Sequence, residues 1–442
     1  MRVVSRRRFL KMGAASVLPA IIPSSALGMN HSVAPSNRIA LGFIGAGDHG
    51  VNMNLRTFLG QPDAQVVALC DVDAERVRAA RQIAEQHYGA GDTFRKVSPP
   101  GGAFRGCDTT ADWREIIARD DIDAVVISTP DHWHVIPAVA AAKAGKDVFC
   151  EKPLTLTVHE GRVLSDTIRR YGRVFQTASE NRSKWNFLRA AELVRNRRIG
   201  KLHTIRTQLP VDPTAKSSQG KVPRAEPAPK GLDYDMWLGQ APQAPYTPGR
   251  CHYHFRWIRD YSGGSLTDWG AHVNDIAQWV NDTESTGPVS VEGRGVFPRD
   301  GLYNTAVAWE ITFKYANGVR LVCTDGTPFI GFEGTEGWVS CGWDTLEASS
   351  PAILKSVIGP EEIHLRTCPE REQRDFLNCV KSRQPAYAPA EVGHRTVTLS
   401  HIGNIAMLLG RKLHWNPDAE QFVNDDEANR MLSRSMRSPW QL

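Results

Sequence analysis

The hydrophobic and polar positions of this 442-residue chain fall into two textures. Between residues 38 and 153, apolar runs of strand length alternate with stretches of helical spacing. The runs are "RIALGFI" (38–44), "AQVVALCDVD" (64–73), "DIDAVVISTP" (121–130) and "KDVFCEKP" (146–153). Between them Val51, Leu55, Phe58 and Leu59 recur at helical intervals, and "ERVRAARQIAEQHYG" and "VIPAVAAAKAG" read as helices. This alternation predicts a parallel sheet with helices on both faces. A loop rich in Gly and Pro interrupts it around 98–107.

After Pro153 the pattern changes. "HEGRVLSDTIRRYG" and "FLRAAELVRNRRIG" predict helices, "LHTIRTQL" a strand, and residues 210–231 a long loop heavy in Pro, Lys and Ala. "VSVEGRGVF", "TAVAWEITFKYANGVRLVCTD" and "GWVSCG" alternate as strands, and Asn317-Gly318 supplies a hairpin turn, so these strands are expected to be antiparallel. Two helices, "EQRDFLNCVKSR" and "GHRTVTLSHIGNIAMLLG", and a polar tail close the chain. The expected partition is a leader at 1–28, a first domain at 38–153, a second α/β domain at 154–424 and a tail at 425–442.

The leader carries Arg6 and Arg7 in "SRRRFLK", followed by an apolar run that ends in small residues. That is the pattern of a twin-arginine export signal. The run is shorter than the ~20 apolar residues a membrane span needs, and Pro19 and Pro23 break it. Without it the 53 basic residues fall to 48, equal to the 48 acidic ones. The basic balance therefore belongs to the leader, and nothing in the remainder argues for a nucleic-acid or anionic-membrane partner. The eight cysteines are scattered without a CxxC, several beside apolar runs, and read as core thiols. Export places the protein in the periplasm or outside the cell, with the twin-arginine machinery as a partner.

Candidate chemistry gathers at the strand ends. Gly45, Gly47 and Gly50 form GxGxxG where a strand opens into a helix, so bare backbone and a helix N-terminus can meet a pyrophosphate. Asp71 follows Gly50 by 21 residues at the tip of the next strand, in position to reach a ribose 2′-hydroxyl and to repel a 2′-phosphate. NAD is thus favoured over NADP, with a tight turn and a strand-end acid as the plain alternative. Asp48 and His49 lie within the glycine turn, Thr129, Pro130 and His134 within "STPDHWH", and Glu151 and Lys152 within "EKP". All are expected to line the same crevice. Asp131, His132 and His134 could also be read as a metal cluster, but no further ligand stands at zinc spacing, and no metal is expected.

In "GGSLTDWGAHVNDIAQWV" (263–280) Trp269, Val273, Ile276 and Val280 form one helical stripe, while Asp268, His272 and Asp275 share another face. Asp268 and His272 stand four apart, so the carboxylate could orient the imidazole, or simply cap the helix. Lys152 could present its ammonium to a substrate hydroxyl, or be an exposed strand-end lysine. Arg182, Trp185, His252, Arg256 and Tyr261, together with Asp275, are further pocket candidates in polar-aromatic stretches.

Taken together, GAGDHG, CDVD, STPDHWH, EKP, the 263–280 stretch and the C-terminal "GHRTVTLSHIGNIAMLLGRKLHW" resemble the Gfo/Idh/MocA oxidoreductases over nearly all of residues 38–442. The resemblance implies a Rossmann domain, a C-terminal α/β domain with a large open antiparallel sheet, and homo-oligomers formed through that sheet. It implies Lys152, Asp268 and His272 as catalytic residues and a sugar or cyclitol as substrate. The reaction is expected to transfer a hydride between a secondary hydroxyl and a tightly held NAD. The alternative is a glycoside hydrolase or lyase working by transient oxidation, with no net redox. An exported enzyme meets no free nicotinamide, so it would be loaded in the cytosol and carried out folded.

Overall fold

The structure, a computed structural model, describes residues 33–89, 106–217 and 223–442. The expected export signal lies outside the described residues, as do most of the 98–107 loop and part of the 210–231 loop.

Strands β1 (Ile39–Ile44), β2 (Ala64–Cys70), β3 (Asp108–Thr110), β4 (Ala124–Ile127), β5 (Asp147–Cys150) and β6 (Phe175–Thr177) form one sheet in the order β3-β2-β1-β4-β5-β6. Every pairing is parallel, because each crossover returns the chain to the same end of the sheet before the next strand begins. Alternate residues feed opposite faces. Phe43, Val126 and Phe149 join one core, and Ile44, Ile127 and Cys150 the other. All residues of β4 and β5 are buried, as a sheet covered on both sides requires.

One boundary differs from the sequence reading. The sheet does not end at Pro153, because β6 is added after the helix Val158–Tyr171; "VFQT" is too short a run to announce itself as a strand. Helix Arg371–Ser382, far along the chain, also packs Phe376 and Leu377 into the first core.

The second sheet has nine strands: β7 (Leu202–Leu209), β8 (Ser290–Val296), β9 (Ala308–Lys314), β10 (Arg320–Asp325), β11 (Phe329–Gly334), β12 (Gly337–Cys341), β13 (Leu346–Ala348), β14 (Leu413–Asn416) and β15 (Gln421–Phe422). Their order is β13-β12-β11-β7-β10-β9-β8-β14-β15. All neighbours run antiparallel except β7 and β10, which are parallel. Gly318, with φ +88°, makes the hairpin turn between β9 and β10. Helices Trp185–Arg195, Gly270–Val280 and Ala390–Leu409 contribute Leu193, Ile276 and Ile402 to the core beneath this sheet. Arg206, Glu310, Arg320 and Trp338 are exposed on strands of the same sheet.

All eight cysteines are free and buried. The polar tail is not a loose end. Trp440 sets its ring 4.8 Å from Trp133 of the first domain, and Arg437 pairs with Asp235 of the second at 2.6 Å.

Candidate cofactor and active site

The glycine turn is built by exclusion. A Cβ on Gly45, whose φ is +99°, would stand 2.6 Å from the carbonyl carbon and oxygen of Ser128, and one on Gly50 would stand 2.8 Å from the Ser128 Cβ. These two glycines let the β1 turn lie directly on the β4 turn. Gly47 differs: its nearest neighbour would be an Arg76 nitrogen at 3.6 Å, so its backbone faces open space. That space is a cavity of about 490 Å³ lined by the glycine turn, Asp71, Arg76, Thr129, Pro130, Glu151, Lys152, His252 and Arg256. Asp71 accepts the Ala46 N–H at 2.6 Å and the Asp73 N–H at 2.9 Å. Burial raises its carboxyl pKa, and the two N–H groups oppose the rise. A bare-backbone turn, an acid at the second strand tip and a cavity that runs past both fit a dinucleotide. Asp48 and His49 border the cavity, Asp48 being exposed with Arg76 3.4 Å away.

The opposite wall is a hydrogen-bonded frame. Glu151 lies 3.2 Å from the His49 Nε2 and accepts from Asn54 Nδ2 at 2.7 Å. Burial alone would raise its pKa, but His49, Lys152 and Asn54 hold it down to about 2. Asn54 also donates to Ser128 at 3.0 Å and accepts from Gln373 Nε2 at 3.0 Å. Neither Asn54 nor Gln373 stood out in the sequence; Asn54 sits on an apolar helical stretch, and Gln373 arrives from more than 300 residues away.

His134 does not line the cavity. It is 1% exposed, and its ring nitrogens lie 2.9 Å from the Pro153 and Thr129 carbonyl oxygens. Its burial lowers its pKa, so it acts as a staple between the STP and EKP turns. His132 is equally buried against the Trp237 carbonyl, and burial pushes it down to about 4. Among the described residues no cluster of three or more His, Cys, Asp or Glu is arranged to hold a metal.

Lys152 Nζ lies 2.7 Å from Asp268 Oδ1, and Arg256 Nε stands 3.8 Å from Asp268 Oδ2. Burial opposes the charge on Asp268, yet these two cations hold its carboxyl well below the usual range. The structure therefore corrects one expectation: Asp268 is bound to Lys152 instead of orienting His272. Asp268 ends a short helical turn, Ser265–Asp268, separate from helix Gly270–Val280. The His272 Nδ1 instead faces Glu180 Oε1 at 3.8 Å. Burial, reinforced by Lys152, pushes His272 down to about 3, so its ring is neutral at physiological pH.

Of the other pocket candidates, Arg256 and His252 line the cavity. Arg182 and Asp275 do not. Each is 1% exposed, and they form a bidentate pair at 2.8 Å, completed by Glu284 at 2.9 Å and Thr396 at 3.0 Å. A polar residue on a helical face looks the same in sequence whether it meets ligand or an internal counter-ion. Tyr261 is wholly buried among His132 and Trp237, its hydroxyl accepting from Arg250. Trp185 is 69% exposed beside Lys184, which lies over the Trp343 ring. Trp343, absent from the sequence reading, touches both Trp269 and His272.

Residues 39–179 match the oxidoreductase family's NAD-binding Rossmann fold, and residues 217–442 match its C-terminal alpha/beta domain. A glycosyl hydrolase family 109 protein of a Shewanella species is 33% identical over 187 residues. That alignment covers 38% of each chain, so this chain spans under half the length of that relative. The structure of GenD2 from gentamicin A biosynthesis, in complex with NAD, is 18% identical with a TM-score of 0.61, covering 87% of this chain and 98% of that one. An aldose-aldose oxidoreductase of Caulobacter crescentus, complexed with glycerol, is also 18% identical, with a TM-score of 0.60 over 85% of this chain and 98% of that one.

Proposed function

The chain belongs to the Gfo/Idh/MocA oxidoreductase family, with an NAD-binding Rossmann domain, and from that premise we propose that it oxidises a secondary hydroxyl of a sugar or cyclitol, or reduces the matching ketone. The observation that carries the reading is Lys152, on the wall of the cofactor cavity and held at 2.7 Å by the half-buried Asp268 carboxylate.

The Gly45–Gly50 turn would hold the pyrophosphate and Asp71 the adenosine ribose, with Lys152 and His272 left near the reacting end. Bound there, nicotinamide supplies the hydride acceptor. Lys152 donates a hydrogen bond to the substrate oxygen and stabilises negative charge as it develops, in a site with little water. Neutral His272 takes the hydroxyl proton. Asp268 fixes the ammonium, and Arg256 helps keep Asp268 ionised. The frame of Asn54, Glu151 and His49 sets the turn from which Lys152 projects.

A second reading has a specific support in the glycosyl hydrolase family 109 relative: oxidation acidifies the neighbouring carbon, a glycosidic bond is eliminated, and the hydride returns. We also propose export by the twin-arginine route, supported by Arg6, Arg7 and the short apolar run, with NAD loaded before export. Homo-oligomers through the open sheet belong to the same proposal. Denaturing protein purified from the periplasm and identifying what it releases tests cofactor and route together. Incubation with glycosides and free sugars, without added acceptor, then separates the chemistries. Ketone formation supports net oxidation, and bond cleavage supports the redox-neutral route. Silence across both panels, with NAD bound, would overturn the proposal.

A further inference from the structure

We infer that Glu180, and not Asp268, is the carboxylate that positions His272 and fixes which ring nitrogen is free to take a proton. The inference rests on the reading of His272 as the base and adds a positioning residue to it.

Asp268 is already committed. One oxygen is 2.7 Å from Lys152 and the other faces Arg256 at 3.8 Å. The His272 Nδ1 is buried and has no hydrogen-bond partner among the described residues, an arrangement that costs stability unless a partner comes within reach. Among the described residues, the carboxylate paired with it is Glu180, at 3.8 Å. A side-chain rotation that shortens this distance by about 1 Å would make a charge-assisted hydrogen bond.

The surroundings favour that closure. Glu180 opens the short turn Glu180–Ser183 that follows β6, and Asn181 in that turn donates to the His272 carbonyl at 3.3 Å. The turn and the histidine backbone are therefore fastened together. The imidazole packs edge-on against Trp269, with ring centroids 6.0 Å apart, and Trp343 at 5.9 Å, two rings that are themselves in contact at 5.3 Å. Other charges also face His272: Lys152 and His49 oppose its protonation, while Asp268 and Glu151 favour it. Glu180 also acts on Glu372, a 3% exposed carboxyl that burial, with a smaller contribution from Glu180, raises to about 7.

The chemical consequence is definite. With Nδ1–H donating to Glu180, the lone pair sits on Nε2. When the substrate hydroxyl loses its proton, the proton goes to Nε2, and Glu180 stabilises the imidazolium through Nδ1. The electron pair of the breaking C–H bond leaves separately with the hydride.

The test uses the full chain with NAD bound, labelled with ¹⁵N-histidine, and long-range proton-nitrogen NMR, with His272 identified by loss of its signals in His272→Gln. The expected result in the wild type is a neutral ring with the proton on Nδ1. Glu180→Gln should shift the tautomer towards a mixture and move the titration to lower pH, and Glu180→Asp should partly restore both. Asp268→Asn should move the titration without exchanging the tautomer. A wild-type ring protonated on Nε2, or an exchange caused by Asp268→Asn and not by Glu180→Gln, would overturn the inference. Neither readout needs substrate, so it stands or falls separately from the proposed reaction.

Discussion

Lys152 and Asp268, 116 residues apart in sequence, meet as a part-buried ion pair with Nζ 2.7 Å from Oδ1. The pair joins the EKP turn of the Rossmann domain to the start of the second domain's helical stretch. It makes the two residues one unit, with Asp268 acting through Lys152. Lys152→Ala should lower single-turnover hydride transfer by about 10²–10³-fold, the cost of losing one preorganised donor. Asp268→Asn should lower it in the same direction, and the double variant should be no worse than Lys152→Ala. Independent, additive losses in a double-mutant cycle would show that Asp268 acts elsewhere.

The glycine turn predicts two different failures. Gly45→Ala forces a Cβ onto the Ser128 carbonyl at a φ of +99° and should destabilise the fold by at least about 1–3 kcal/mol. Gly47→Ala meets only the end of the Arg76 side chain, so its melting temperature without cofactor should stay near that of the wild type while NAD binding falls. Thermal unfolding and calorimetric binding measured side by side check both. Equal unfolding of the two variants would place Gly47 in packing and not at the pyrophosphate.

Arg182 is wholly buried against Asp275, so its removal should act on stability before chemistry. Arg182→Ala leaves a buried carboxylate without its partner and should cost about 3–5 kcal/mol in chemical denaturation. A variant of wild-type stability with altered substrate preference would return Arg182 to the pocket.

The His49–Glu151 pair gives the fold a pH signature. Glu151 is held down to about 2 from its ordinary 4.5, so its contribution is present above pH 4.5 and is lost as pH falls towards 2. His49 is raised above its ordinary 6.5 by Glu151, so its contribution is complete below pH 6.5 and is lost as pH rises through the raised value. Both are full between those two ordinary values. His49→Ala should therefore lose more stability at pH 5.5 than at pH 8.5, in denaturant titrations at the two pH values; these are round figures, about a unit inside and about two units above the histidine midpoint. An equal loss at both would mean that the pair carries no charge.

Elements with strong periodicity were legible in the sequence. The alternating first domain, the β9–β10 hairpin and the glycine turn with Asp71 all follow from local spacing. Short strands were not: β6 and β13 have three residues each, too few to show a period. At the site, residues next to a turn motif could be named, whereas those that complete it from afar could not. Asn54, Gln373, Glu180 and Trp343 carry no local signal because their partners lie on distant segments. For the same reason the i, i+4 spacing of Asp268 and His272 suggested a pair, while a lysine from another domain took the carboxylate. Arg182, Asp275 and Tyr261 were polar or aromatic residues whose partners proved to be internal.

The central claim is that hydride passes between a carbinol carbon and NAD in the cavity beside Lys152. NAD-loaded protein mixed with sugars and cyclitols deuterated at the ring carbons, stopped within one turnover, tests it by mass analysis of the recovered nicotinamide. The account predicts reduced nicotinamide carrying deuterium from one carbinol position, formed about 10²–10³-fold more slowly in Lys152→Ala. Sugar converted to product with no deuterium ever appearing in the nicotinamide, at any quench time, would contradict it.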